Sequence, residues 1–197
     1  MKKEMKNLFM FVAALFMGMA VTACGSDGDD NGNGNGDNGG GSGQSSNTMT
    51  VDGKALDITS VQLLQNGTGE DGRLWFVVTA SDNSVLNIMV SKNDEGKTID
   101  LSKASTEDIA DYWHVYYNVT RASSMEAKQL MMGMGVTWGT STFVFNAGST
   151  LYYKSQGNNK FQLKYNINGP EYNNNAVTHT LVANWSGTVY NVADLLK

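Results

Sequence analysis

The chain of 197 residues is poor in cysteine, proline and histidine, and its acidic residues outnumber the basic ones. The one Cys cannot form an internal disulfide, and it excludes zinc sites built from several cysteines. One Pro beside 22 Gly excludes collagen-like and polyproline structure, which need both residues in bulk. With 14 Lys and Arg against 19 Asp and Glu, the net charge is −5. Nucleic acid is therefore not an expected partner, because phosphate binding needs a basic surface.

The first 23 residues have the pattern of a secretory signal. Lys2, Lys3 and Lys6 make the N-terminus basic, and residues 8–21 are small or apolar. This run is short for a bilayer span, which takes about 20 residues. A basic segment followed by a short apolar segment is typical of a signal peptide.

The signal ends at Val21-Thr22-Ala23-Cys24, which contains the only Cys of the chain. This sequence resembles the bacterial lipobox, in which small residues precede a Cys. The resemblance implies that the Cys24 thiol receives a diacylglycerol, that cleavage occurs before Cys24, and that the new amine is acylated, for example with palmitate. Three acyl chains would hold the protein in a membrane almost permanently, whereas one chain alone anchors only marginally.

Residues 24–46 form a polar segment that predicts a disordered tether. Residues 25–46 include no apolar side chain, so nothing there offsets the entropy of ordering. A Gly-rich coil of this length spans about 25 Å on average. The acidic run from Gly25 to Asp30 resembles the export signal of Bacteroidota surface lipoproteins. That resemblance implies the outer face of the outer membrane, with a periplasm-facing anchor as the alternative.

Residues 47–197 read as a single β-rich domain. Short apolar runs alternate with Gly, Asn and Asp turns, which is typical of antiparallel structure. We expect a hairpin at Asp52-Gly53, another at residues 156–159, and a wide turn over residues 166–175. A capped helical turn at residues 105–110 and a short helix or a hairpin at residues 124–132 are also predicted. The predicted fold is mainly β, an antiparallel sandwich or open barrel with one or two short helices.

Three short segments carry a further resemblance. Val51-Asp52-Gly53-Lys54, Gly148-Ser149-Thr150-Leu151 and Trp185-Ser186-Gly187 look like strands of small gut-bacterial surface lipoproteins of uncharacterised families. The resemblance implies a β-sandwich and no defined activity.

Catalytic patterns are weak in this domain. His114 and His179 are the only candidate bases, and each is explained by a place on a strand. No Gly-x-Ser-x-Gly motif is present. The carboxylates that would be needed for glycoside hydrolysis lie at turn-like or cap-like positions. We therefore predict a protein that is not an enzyme and has no cofactor.

The segment Met131-Met132-Gly133-Met134, with Met125 nearby, offers thioethers of the kind that bind Cu(I). Methionine is also a flexible filler of hydrophobic cores. The sequence favours the second interpretation, and no metal site is predicted.

The aromatic and Asn content is the most suggestive functional feature. Sugar rings stack on exposed aromatic faces, and Asn amides both donate to and accept from hydroxyl groups. We predict a surface lipoprotein that binds a glycan. The alternative is a structural or interaction subunit of an envelope complex, or an adhesin, with a protein partner. Tyr172, in an Asn-rich turn, is the best candidate for an exposed ring. The candidate stacking residues are Trp75, Trp113, Trp138, Tyr172 and Trp185.

Overall fold

The computed structural model describes residues 47–66, 72–104, 113–120, 127–138 and 141–191. The predicted signal peptide, Cys24, the tether and the capped turn at residues 105–110 lie outside the described residues. Within the described part, no helix is long and apolar enough to cross a membrane.

The described residues are almost all in β-strands, and the helical content of this part is a single 3-10 turn at Lys92–Asp94. The strands are β1 (Thr48–Val51), β2 (Lys54–Asn66), β3 (Arg73–Ala80), β4 (Val85–Ser91), β5 (Thr98–Asp100), β6 (His114–Thr120), β7 (Ala127–Met134), β8 (Thr137–Trp138), β9 (Ser141–Thr142), β10 (Thr150–Gly157), β11 (Lys160–Glu171), β12 (Asn174–Thr188) and β13 (Tyr190–Asn191).

Eleven of these strands form one sheet in the order β5-β10-β11-β12-β1-β2-β3-β4-β6-β7, and β13 pairs with β2. Strands β8 and β9 form a separate two-stranded sheet. Neighbours in the large sheet are antiparallel, except for the parallel pair of β13 and β2. The sheet is not closed into a barrel.

The sheet folds over onto itself around one core. Phe76 on β3 contacts Tyr153 on β10 and Phe161 on β11, with ring centroids 5.8 and 5.4 Å apart. These strands are far apart in the sheet order, so β5-β10-β11-β12-β1 (the first half-sheet) faces β2-β3-β4-β6-β7 (the second half-sheet). The predicted mainly-β fold is confirmed, and its layers resemble a sandwich.

Strict alternation of side chains builds the first half-sheet. On β11, Phe161, Leu163, Tyr165 and Ile167 are buried and the residues between them are more exposed. The second half-sheet is different, because Leu74 to Val78 on β3 are all buried. The face of β3 that points away from the core is therefore covered as well.

Two of the predicted turns are confirmed. Asp52 and Gly53 have φ values of 50° and 79° and join β1 to β2, with Val51 paired to Lys54. Asn158 and Asn159 have φ values of 50° and 58° and join β10 to β11. Positive φ at both central positions matches the twist of the flanking strands, which is why short polar or Gly residues occupy them.

Two other expectations need correction. Of the two alternatives predicted for residues 124–132, a short helix or a hairpin, the helix is wrong, because residues from 127 onward form strand β7, which pairs antiparallel with the preceding strand β6. Its burial alternates, with Met131 in the core and Met132 on the other face, so the pattern is that of a strand. The wide turn over residues 166–175 is also absent. Strands β11 and β12 continue to a two-residue turn at Tyr172-Asn173, and Pro170 lies within β11.

Candidate functional site

An open groove of about 620 Å³ lies beside the β11–β12 turn. Three parts of the fold form its walls: the turn itself, strand β7, and the segment that precedes β10. Its lining residues are Met132, Phe143, Val144, Asn146, Pro170, Glu171, Tyr172, Asn173, Asn175 and Thr178.

Backbone hydrogen bonds hold these walls together. The Tyr172 N–H donates to the Leu130 carbonyl at 2.7 Å, which ties the turn to β7. The Met134 N–H donates to the Phe143 carbonyl at 2.6 Å, which ties the segment before β10 to the same strand. Because these bonds use the main chain, the groove is formed before any ligand arrives.

Asn146 connects the segment before β10 to β11 through two bonds to one residue. Its N–H donates to the Asn168 carbonyl at 2.8 Å, and its side-chain nitrogen Nδ2 donates to Asn168 Oδ1 at 2.7 Å. The side-chain oxygen of Asn146 is an acceptor that neither of these bonds uses.

Phe145 anchors the same segment to the hydrophobic core. Its ring is buried and stacks on Trp113, with centroids 5.8 Å apart and planes 20° apart. Gly133 and Gly169 lie against the ring, since a Cβ atom at either position would overlap it. With Phe145 fixed in the core, Phe143 lies at the surface with 41% of its area exposed.

The groove therefore combines exposed aromatic rings with exposed amides. Tyr172 is 37% exposed, and Asn173 and Asn175 beside it are exposed as well. Asn173 has a φ of 65°, a conformation that Asn adopts more readily than most residues. Such a groove suits a ligand that has both an apolar face and hydrogen-bonding groups. A sugar ring, with its C–H face and its hydroxyl groups, is a ligand of this kind.

A chain of ionisable side chains runs from the groove wall to the β1–β2 turn. Lys128 Nζ forms an ion pair with Glu171 Oε1, which holds the pKa of Glu171 below its usual range. Glu171 Oε2 lies 3.8 Å from His179 Nε2, and His179 Nδ1 is 2.7 Å from Asp52 Oδ2. The Thr180 N–H donates to Asp52 Oδ1 at 2.8 Å.

Asp52 and Glu171 are both carboxylates in this arrangement. Burial on its own raises the pKa of Asp52, but hydrogen bonds from His179 and Thr180 outweigh it and lower the pKa. A general acid for glycoside hydrolysis needs a raised pKa instead. This pair of residues therefore supplies no proton donor at neutral pH. Among the residues described, no group of three or more His, Cys, Asp or Glu side chains is placed to hold a metal ion.

Three predicted stacking residues are core residues, which corrects the sequence-based assignment. Trp75, Trp113 and Trp185 are only 6%, 4% and 6% exposed, so none presents a ring face to a sugar. Trp75 Nε1 donates to Asn87 Oδ1 at 3.2 Å, and Trp113 Nε1 donates to the Lys103 carbonyl at 3.3 Å. These bonds satisfy the indole N–H groups, so burial costs little.

Of the other residues predicted from the sequence, Tyr172 lies in the groove, whereas the Trp138 side chain and Cys24 cannot be placed. Tyr172 lies at the surface as expected and forms part of the groove. The backbone of Trp138 pairs with Ser141, while its side chain and Cys24 lie outside what the structure describes. Phe143 was missed, because an alternating strand pattern predicts that Phe143 and Phe145 share one buried face. No signal in the sequence shows that the chain leaves the strand between them.

No protein-family description, curated protein or solved structure matches this chain.

Proposed function

We propose that this protein is a lipid-anchored outer-membrane protein of the cell surface whose β-domain binds a glycan and performs no catalysis. The lipobox at Cys24 and the acidic run after it support the anchor and its outward direction. The polar tether predicted from the sequence, about 25 Å in average span, would give the domain reach from the membrane. The groove beside the β11–β12 turn is the proposed binding site.

One observation carries the proposal: two exposed aromatic rings and three Asn side chains line the same groove. Tyr172 and Phe143 provide apolar surfaces, and Asn146, Asn173 and Asn175 provide amides. The lining includes one ionisable carboxylate, Glu171, which Lys128 already neutralises. A lining of this kind favours an uncharged ligand rich in hydroxyl groups over a strongly charged one.

Affinity electrophoresis against a panel of polysaccharides tests this function. A chain with Cys24→Ser, which lacks the lipid, should be retarded by at least one neutral glycan. Tyr172→Ala and Phe143→Ala should each weaken that retardation by roughly five- to tenfold, the loss expected for one aromatic contact.

Tyr190→Ala is the matched control. Tyr190 is the most exposed of the large hydrophobic residues described, at 62%, and it is not part of the groove lining. Equal loss in this variant would contradict a site in the groove. If no glycan retards the protein, the binding function is wrong. A pull-down from native membranes would then test the alternative, a structural or adhesive subunit with a protein partner.

A further inference from the structure

The outer edge of strand β7 is bonded at two points, and the stretch between them (the edge gap) opens into the groove. At one end, the Leu130 carbonyl accepts from the Tyr172 N–H at 2.7 Å. At the other end, the Met134 N–H donates to the Phe143 carbonyl at 2.6 Å. With a rise of about 3.3 Å per residue, the edge gap is about 13 Å long. Met132 lies in its middle and lines the groove.

The main-chain groups of Met132 point into the edge gap and not towards β6. The Gly135 N–H donates to the Trp113 carbonyl, just before β6, so Gly135 is bonded on the β6 side. The Met134 N–H, one residue earlier, donates to Phe143 and therefore points away from β6. Successive residues of an antiparallel strand alternate in this direction, and the register is regular in this part of β7. Met132 consequently has the same direction as Met134.

Met132 thus offers the groove one main-chain donor and one acceptor. Within the described residues, no group bonds to its N–H or to its carbonyl. On an antiparallel strand these two groups lie side by side, where a neighbouring strand would supply one acceptor and one donor. A ligand can bond to both without breaking a hydrogen bond of the fold.

The edge gap is too short for a strand of a partner protein. A peptide that adds a strand to a sheet forms hydrogen bonds along several edge residues in succession. The next edge groups on either side of Met132 are the Leu130 carbonyl and the Met134 N–H, and both are already bonded. A compact ligand that needs the edge groups of one residue fits this arrangement better.

Two hydroxyl groups on neighbouring carbons of a sugar ring match the donor and the acceptor of Met132. A hydroxyl group both donates and accepts, so one can accept from the N–H while its neighbour donates to the carbonyl. Tyr172 and Phe143, whose main chains close the two ends of the edge gap, both add exposed rings to the groove. These rings can cover the C–H face of the same sugar.

We propose that Met132 binds the glycan through its main chain, and that the groove prefers sugars with two adjacent free hydroxyl groups. The N–H donates to one hydroxyl group, and the carbonyl accepts from the next. The inference rests on the glycan-binding function proposed for the groove, and it adds the feature of the sugar that the groove recognises. The Met132 side chain has no polar role in this contact.

Hydrogen exchange at the Met132 N–H is the first test. The chain with Cys24→Ser carries isotope-labelled methionine, and the Met132 signal in the NMR spectrum is the one missing from Met132→Leu. Fragments of dextran or xylan at saturation should slow the exchange of this N–H at least about tenfold, because it gains a partner. The Met49 N–H is the control. It lies in β1 between two paired strands, so its exchange should be slow with and without the fragments.

Affinity electrophoresis of two variants of Met132 is the second test. Met132→Pro removes the N–H, and proline is tolerated on an edge strand where the N–H is outside the ladder. Retardation should weaken about three- to tenfold, the loss expected for one hydrogen bond. Met132→Leu keeps the N–H and nearly the same volume, so its retardation should be unchanged. Circular dichroism checks the fold of both variants.

The polysaccharides themselves test the preference for adjacent hydroxyl groups. The sugar units of dextran and xylan carry free hydroxyl groups on neighbouring carbons, whereas the main-chain units of laminarin do not. Dextran or xylan should therefore retard the chain more strongly than laminarin. Retardation by laminarin but by neither of the other two would overturn the preference.

The inference and the function beneath it fail in different ways. If no polysaccharide retards the chain, the glycan function is wrong and the inference is wrong with it. If Tyr172→Ala weakens retardation but the Met132 N–H exchanges equally fast with and without the fragments, the groove binds glycan and the inference alone is overturned. If Met132→Pro does not fold, the exchange of the unaltered main chain decides.

Discussion

At the scale of single residues, Asp52 illustrates how one side chain connects two distant parts of the chain. It occupies the β1–β2 turn with a φ of 50°, and its carboxylate contacts His179 and the N–H of Thr180 on β12. The Asp52 N–H in turn donates to the Thr180 carbonyl at 2.9 Å. The turn is therefore fastened to β12 by both main chain and side chain, close to the charged wall of the groove.

The pH dependence of stability tests this role of Asp52. The pKa of Asp52 is lower in the folded chain than its ordinary value of 3.8, so the contribution is fully present above that value. It is lost as the pH falls through the lower, folded pKa. Asp52→Asn should reduce the free energy of unfolding by up to about 1 kcal/mol at pH 7, a modest value because the side chain is largely exposed.

Urea unfolding of both proteins at pH 7 and in acid measures this effect. The gap between wild type and Asp52→Asn should shrink as the pH falls below 3.8. Asn tolerates the positive φ at this position as well as Asp does, so backbone strain adds nothing. Asp57→Asn, on an exposed residue of β2, is the control. A gap that stays constant with pH would show that the charge of Asp52 has no part in the effect.

At the scale of elements, the Phe145 ring packs between the two half-sheets against one glycine from each. Gly133 belongs to β7 in the second half-sheet and Gly169 belongs to β11 in the first. The Phe145 ring lies against both, and Trp113 covers it by stacking. Because glycine has no side chain, each of the two strands leaves space that the Phe145 ring fills. The ring in turn supports the segment that carries Phe143.

Gly169→Ala tests this contact. The added methyl group would overlap a buried ring that Trp113 prevents from moving away, and overpacking of this kind costs about 1–3 kcal/mol. We expect a lower urea midpoint and weaker glycan binding, because the groove wall would shift. In a double-mutant cycle with Phe145→Leu, the added cost of Gly169→Ala should largely disappear. Fully additive losses would show that the two residues do not interact.

Turns of the fold could be predicted from the sequence more easily than the type of one strand. The turns at Asp52-Gly53 and Asn158-Asn159 were predictable, because their residue types tolerate positive φ between two alternating runs. Strand β7 was predicted as a helix or a hairpin, because Met, Leu and Gln at mixed spacings suit either structure until β6 supplies its hydrogen bonds.

The site could be predicted only in part for a related reason. Tyr172 was identified from its polar turn, whereas Trp75 sits in a strand whose two faces look equally apolar in the sequence. Which face meets the core depends on sheet packing, and β3 is buried on both faces.

At the scale of the whole molecule, the proposed function depends on a folded domain that the proposed N-terminal lipid would hold at a surface. One groove makes few contacts with a ligand, so the proposed anchor would strengthen binding by concentrating many copies on one membrane. The domain carries its proposed ligand site at the β11–β12 turn. The tether predicted from the sequence of residues 24–46 would allow that site to face a ligand in many orientations.

Cys24→Ser tests the anchor. Without the thiol no diacylglycerol can be attached, so cells fed an alkyne analogue of palmitate should incorporate label into the wild type and not into this variant. In detergent phase separation, the wild type should enter the detergent phase and the variant the aqueous phase. The physical reason is that each acyl chain contributes about 0.8 kcal/mol per buried methylene, which the polar tether cannot replace.

A second variant separates anchoring from export. Replacing Asp27, Asp29 and Asp30 with Ala should keep the lipid label but remove the protein from the reach of protease added to intact cells. Loss of label in this acidic-run variant would show that the run acts in lipid attachment rather than in export. Label retained by Cys24→Ser would contradict the lipoprotein assignment itself, because the chain has no second thiol to carry the lipid.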